Sequence, residues 1–179
     1  SLPAGFAGLE PRFRDLFEAA QKKKRWTGKT GEVFSSFDPD FQFAGEIAVL
    51  GLGSRKAFRQ QTLRQTAAAI VKRVRQHRAR TVRIWADSFV AAGMPMAGAL
   101  EVIQEGLVLS SYRFQKYKNA SGEQSPKEKD AVFEVVYGKT ASPAALKRSV
   151  EFAAICADGI CFARDLANEP ANILNPKTM

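Results

Sequence analysis

One histidine and two cysteines in 179 residues leave little from which to build a metal centre or a nucleophilic triad. Zinc sites draw three or four ligands from His, Cys and carboxylates, and a Ser-His-Asp arrangement needs a histidine beside its nucleophile. His77 stands alone in a basic run and reads as a solvated surface residue. Cys156 and Cys161 are five positions apart in a helical pattern and project about 140° from one another, so they read as buried, reduced, unbridged thiols. No run reaches the ~18 to 20 apolar residues of a membrane-spanning helix, and the N-terminus lacks the regions of a secretory signal. The chain therefore reads as cytoplasmic, with no membrane partner. Gly-x-Ser-x-Gly and phosphate-loop motifs are missing as well. Gly51-Leu52-Gly53 does not complete a dinucleotide fingerprint: Lys56 stands where the third glycine belongs, and no acidic residue follows before Asp87. These absences speak against catalysis and against a resident cofactor or metal in this chain.

What is present suits one folded domain. Hydrophobic residues make up 45% of the chain, 13 of them Phe, enough for a real core. Lys and Arg number 27 against 18 Asp and Glu, a net charge of +9. The surplus is concentrated between Arg55 and Arg83, which hold ten basic residues and no acidic one. Such a run is a solvated helix face whose stems cover apolar surface, or else a contact for DNA or RNA phosphates. On the second reading the candidate residues are Arg55, Lys56, Arg59, Arg64, Lys72, Arg73, Arg75 and Arg78. Tyr112, Arg113, Phe114, Lys116, Tyr117 and Lys118 interleave rings and cations as a single-strand platform would, although alternating aromatics also serve cores and subunit interfaces.

The pattern organises around Ile47 to His77. Ile47-Ala48-Val49-Leu50 reads as a strand buried on both faces, ended by the glycine turn. Leu63, Ala67, Ile70 and Val74 then line one face of a helix. Thr81 to Ala86 supplies the next strand, expected parallel to the first across a βαβ crossover. Upstream, Pro11 to Ala20 predicts a helix carrying Phe13, Leu16 and Phe17, with Lys22 to Arg25 at its C-terminal end. Glu32 to Phe37 and Phe41 to Phe43 predict strands joined by Asp38-Pro39-Asp40. Downstream, a helix from Gly93-Met94-Pro95 to about Ser110 carries Met96, Leu100, Ile103 and Leu107. Asn119 to Asp130 reads as an exposed loop, and Ala131 to Tyr137 as a strand. A final helix opens at Ser142-Pro143, turns Leu146, Val150, Ala153, Ala157, Ile160 and Ala163 inward, and ends near Leu166. Residues 168–176, with two prolines and three asparagines, read as a connector.

Several of these segments together resemble the N-terminal domain of the leucyl aminopeptidase (cytosol aminopeptidase) family. They are Trp26-Thr27-Gly28-Lys29-Thr30-Gly31-Glu32, Val49 to Gly53, Arg64-Gln65-Thr66-Ala67-Ala68-Ala69, Glu105 to Leu109 with Tyr112-Arg113-Phe114 and Tyr117-Lys118, and the tail Ala163 to Asn172. The resemblance implies a macro-like, three-layer α/β domain whose mixed, mostly parallel sheet is flanked by helices. It implies a boundary near residue 166, with 167–179 opening the linker to a C-terminal catalytic domain that lies beyond the sequence in hand. In the family that second domain holds two divalent metals, zinc or manganese, which act as Lewis acids and activate water in releasing N-terminal amino acids. Members are cytosolic hexamers. No catalytic, cofactor-binding or metal-binding residue is carried over, since the family's lie after Met179. The expected role is noncatalytic, in oligomer assembly and in positioning the catalytic domain; the alternative is a nucleic-acid-binding module using the basic face.

Overall fold

The computed structural model describes residues 11–37, 45–91, 93–117, 131–138 and 142–173. In chain order its elements are α1 (Pro11–Lys22), β1 (Val33–Phe37), β2 (Glu46–Leu50), α2 (Gln60–His77), β3 (Thr81–Trp85), α3 (Asp87–Ala91), α4 (Met96–Ser111), β4 (Val132–Val136) and α5 (Pro143–Asn168). The α/β class and the four long helices agree with the sequence pattern. The expected strand at 41–43, its turn at 38–40 and the loop at 119–130 lie outside the described residues.

Helix α4 occupies the centre because its sequence is apolar on more than one face. Met96, Ala99, Leu100, Val102, Ile103, Gly106 and Leu107 are all buried, and α2 and α5 both pack against it. Leu63, Ala67 and Val71 of α2 join Ile84 and Ala86 of the β3 end, Phe89 of α3 and Leu146 of α5 in this core. The α2–α4 contact is close: a Cβ added at Gly106 would sit 2.7 Å from that of Ala67. Phe13, Phe17 and Ile47 form a second cluster with Trp26, Phe34, Val49 and Trp85. Trp85 thus turns to the α1 side while Ile84 faces α2, α4 and α5. The strands lie between two helical layers.

Strand pairing departs from the expected crossover. Among the described residues β2 pairs antiparallel with β1, Val33 opposite Leu50, and β3 finds its parallel partner in β4, Thr81 opposite Val132. Only Ile47 of β2 is buried, not the whole strand. An apolar run specifies that a strand is covered, and says nothing of which neighbour covers it. Helix α2 reaches back to the first ladder electrostatically: Arg73 Nε donates to Glu46 Oε1 at 2.8 Å, and its guanidinium also meets Ser35. Both acceptors sit on the same face of β1–β2, as the period of two along each strand requires.

The two glycine-rich segments are one structural unit. Gly31 N–H donates to Gly51 O, Gly51 N–H to Glu32 O at 2.7 Å, and Gly53 N–H to Gly28 O at 2.9 Å. The turn after β2 is thereby stitched to the turn before β1. A Cβ at Gly51 would lie 2.1 Å from the Lys29 carbonyl oxygen, a distance no side chain permits. The Glu32 carboxylate closes the same turn, accepting from the Thr27 amide and hydroxyl and from the Lys29 amide at 2.9–3.0 Å. Burial alone would push its pKa up, yet the hydrogen bonds from Thr27, Lys29 and Gly28 together hold it below the ordinary carboxylate range.

Gly51→Ala is therefore expected to destabilise the chain by on the order of 3 kcal/mol, lowering Tm by about 6–12 °C. Gly98→Ala, in α4 where an added Cβ meets nothing within 4 Å, should instead raise stability by roughly 0.5–1 kcal/mol. Thermal and denaturant unfolding of the two variants checks both signs.

Candidate functional site

Among the described residues a dense polar cluster joins the segment after α4 to the C-terminal end of α5. Tyr112 and Lys116 are four positions apart, and so are Asp165 and Glu169 opposite them. Tyr112 Oη donates to Asp165 Oδ1 at 2.8 Å, and Lys116 Nζ lies 2.6 Å from Glu169 Oε1. Tyr117 Oη donates to the other Glu169 oxygen. The Arg164 guanidinium stacks over the Tyr112 ring at 5.5 Å and donates to Leu109 O at 3.2 Å. Asn168 Nδ2 donates to Arg164 O at 2.7 Å. This clasp pins the last turns of α5 to the chain that leaves α4. A groove of about 470 Å³ runs beside it, lined by Phe114, Phe162 and Leu166 together with charged neighbours.

The charges of the clasp are matched. Hydrogen bonds from Lys116 and then Tyr117 hold the Glu169 carboxyl below its ordinary range. The same carboxylate raises the pKa of Lys116 and of Tyr117, while burial, with Asp165 second, raises that of Tyr112.

The basic run disperses once folded. Arg64 pairs with Glu105 at 3.0 Å, Arg73 with Glu46, and Arg75 donates to Ser111 O at 2.9 Å. Arg59 turns back onto the carbonyls of Lys56 and Phe58 at the start of α2, at 2.9 and 2.7 Å. Of the eight candidates, Arg55, Lys56, Lys72 and Arg78 keep side chains without an ion pair or hydrogen bond among the described residues. Arg78 ends α2 in the left-handed conformation, φ 50°. The ring-and-cation segment 112–117 faces α5 and contributes Tyr112, Lys116 and Tyr117 to the clasp.

His77 is a half-exposed neighbour of Glu46, its Nδ1 3.3 Å from Oε2. The cysteines are unbridged as expected, but they are not both buried: Cys156 is exposed and Cys161 half-buried, with burial raising the Cys161 pKa. The reason is that α5 packs on only one side. Leu146, Ala153 and Ala157 turn inward, whereas Ile160 and Ala163, expected inward, are exposed. Among the described residues no three His, Cys, Asp or Glu side chains converge to hold a metal ion, so this donor set does not fit a two-metal centre. No helix among them is long and apolar enough to cross a membrane.

Residues 3–121 match the model of the Cytosol aminopeptidase family, N-terminal domain. A probable cytosol aminopeptidase of Chelativorans sp. (strain BNC1) is 32% identical over 95% of this chain and 32% of its own length. That of Clostridium perfringens is 28% identical over 89% of this chain and 31% of its own. Among solved structures, the bottromycin maturation enzyme BotP is similar with TM-score 0.67 and 29% identity, over 89% of this chain and 32% of that one. A tomato leucine aminopeptidase mutant shares the fold at TM-score 0.70 and 22% identity, covering 93% of this chain and 31% of that one. The chain spans about a third of the length of these relatives. With two thirds of its residues under the family model and this fold beneath them, the chain belongs to the cytosol aminopeptidase family and carries its N-terminal domain.

Proposed function

We propose that this chain is a noncatalytic domain of a larger cytosolic metallo-aminopeptidase, with 1–166 as the domain and 167–179 as the start of a linker. Its work is to position a following catalytic domain and to bring subunits together. The clasp carries this reading: it spends the most elaborate polar cluster among the described residues on fixing the direction in which α5 delivers the chain. In the parent, two divalent ions, zinc or manganese, would supply the Lewis acidity for releasing N-terminal amino acids, from residues outside this chain. The manganese named with one similar BotP structure agrees with that class of metal. The parent is expected to be hexameric, as the family resemblance implies. Dispersal of half the basic candidates into internal contacts weighs against DNA as the partner of α2.

This chain, supplied with manganese or zinc, is expected to show no turnover of leucyl-p-nitroanilide; turnover abolished by a chelator would overturn the reading. The clasp also has a definite pH window. Glu169, with a depressed pKa, stabilises it above the ordinary carboxylate range and stops doing so as pH falls through the depressed value. Lys116 and Tyr117, with raised pKa values, stabilise it below their ordinary ranges until pH rises through the raised ones. Glu169→Gln should therefore bring Tyr117 ionisation, read by phenolate absorbance, down towards the ordinary tyrosine range and speed amide exchange in the last turn of α5. An unchanged tyrosine titration would contradict the clasp.

A further inference from the structure

The turn between α1 and β1 gathers its own donors around one point. Thr27 N–H, Thr27 Oγ1 and Lys29 N–H all donate to a single oxygen, Glu32 Oε2, at 2.9, 3.0 and 3.0 Å, and the Gly28 amide adds to them. Successive amides converge in this way when a residue between them turns left-handed, and Gly28 does so at φ 78°. A Cβ at that position would also press on the Trp26 ring, 3.2 Å away. Such a concavity is a form in which proteins hold free anions. Here its occupant is a carboxylate of the same chain.

Glu32 grips Lys29 at both backbone ends. Its carboxylate takes the Lys29 N–H, while its own N–H donates to the Lys29 carbonyl at 3.0 Å. That carbonyl is the one packed against Gly51, and Glu32 O accepts from Gly51 N–H at 2.7 Å. The carboxylate therefore sets the place of the residue on which the meeting of the two turns depends. We propose that residues 27–29 form an oxyanion socket, that Glu32 is its in-chain ligand, and that a charged carboxylate seated there is the latch holding this turn against Gly51 and Gly53. A positioning role of this kind asks for negative charge at one point and not for a covalent tether, so a free carboxylate of the right size can take it over.

The socket holds its anion by dipoles. Arg25 and Lys29 on the turn are exposed, as are Arg55 and Lys56 beyond the facing glycines, and Gly51 to Ser54 carry no charge. Helix α1 meets the turn through Phe17, whose ring lies 4.8 Å from that of Trp26. Burial raises the Glu32 carboxyl, and the hydrogen bonds from Thr27, Lys29 and Gly28, with no cation among the causes, bring it below the ordinary range. The carboxylate's contribution is therefore present above the ordinary carboxylate range and is lost as pH falls through the depressed value. Acid opens the latch while α2, α4 and α5, which share an apolar core, stay packed.

Glu32→Ala removes from the socket the carbon and oxygen skeleton of acetate. The variant should melt about 4–8 °C below the unmodified chain. Acetate should restore at least half of that difference, saturably, relative to chloride at equal ionic strength. Neither the unmodified chain nor Glu32→Gln, in which the socket stays filled, should gain from acetate. Glu32→Gln keeps the accepting oxygen without the charge. In the unmodified chain, protection of the Gly51 and Gly53 amides should fall about tenfold relative to α4 as pH is lowered through the Glu32 titration. In Glu32→Gln it should already be reduced at neutral pH and should not respond to acid. A gain from acetate no larger than from chloride, or an acid dependence at Gly51 that Glu32→Gln leaves unchanged, would overturn the latch. If Glu32→Ala does not fold even in acetate, the exchange comparison with Glu32→Gln decides.

Discussion

The fold depends on a meeting of two backbones at Gly51. The β2 strand ends against the Gly28 to Glu32 turn so closely that the Lys29 carbonyl occupies the volume a Cβ would need. Three backbone hydrogen bonds cross that contact. The constraint reaches outward in both directions. It holds β1 beside β2, and so places Phe34 and Ile47 against Phe13 and Phe17 of α1. It also fixes where the chain turns towards α2, whose Leu63 and Ala67 must then meet α4. The glycines at 51 and 53 have the look of a phosphate cradle in sequence, but here their amides are given to the chain itself.

Much of this was legible before the structure. Helices α1, α2, α4 and α5 follow from apolar periodicity, and the four residues assigned to the inner face of α4 are all buried. Strand identities were legible too, because β-branched runs bounded by turn residues have few alternatives. Pairing was not. Choosing between β1, β3 and β4 as neighbours is a matter of tertiary geometry, and the expectation that β3 runs parallel to β2 across a βαβ crossover does not say which strand each one pairs with. Helix α3 escaped notice because five residues, Asp87 to Ala91, are too short for a 3.6-residue period to register.

The functional surfaces divide along similar lines. Periodicity located the apolar residues of α5 but treated the helix as covered throughout, which is why Ile160 and Ala163 were assigned to a core and Cys156 to burial. A sequence shows that a face is apolar; it does not show whether the covering partner belongs to the same chain. The basic run of α2 is partly taken up in internal contacts for the opposite reason. Its acidic partners, Glu46 and Glu105, are distant in sequence and become neighbours only on folding. In the clasp, Tyr112 and Lys116 read in sequence only as part of an alternating ring-and-cation segment, and Asp165 and Glu169 draw no reading of their own. Only the packing of α5 on α4 showed that they face one another.

The account makes the glycine contact and the clasp the two fixed points between which the helices are held. Residue-resolved native-state hydrogen exchange of the unmodified chain at neutral pH measures both at once. Amides of Gly31, Gly51 and Gly53 should be protected to a degree comparable with the interior of α4, and those of Leu166 to Asn168 well beyond the fraying expected of a free helix end. Exchange of the glycine amides at the rate of open loops, with α5 fraying back from residue 168 as an unrestrained terminus, would contradict it.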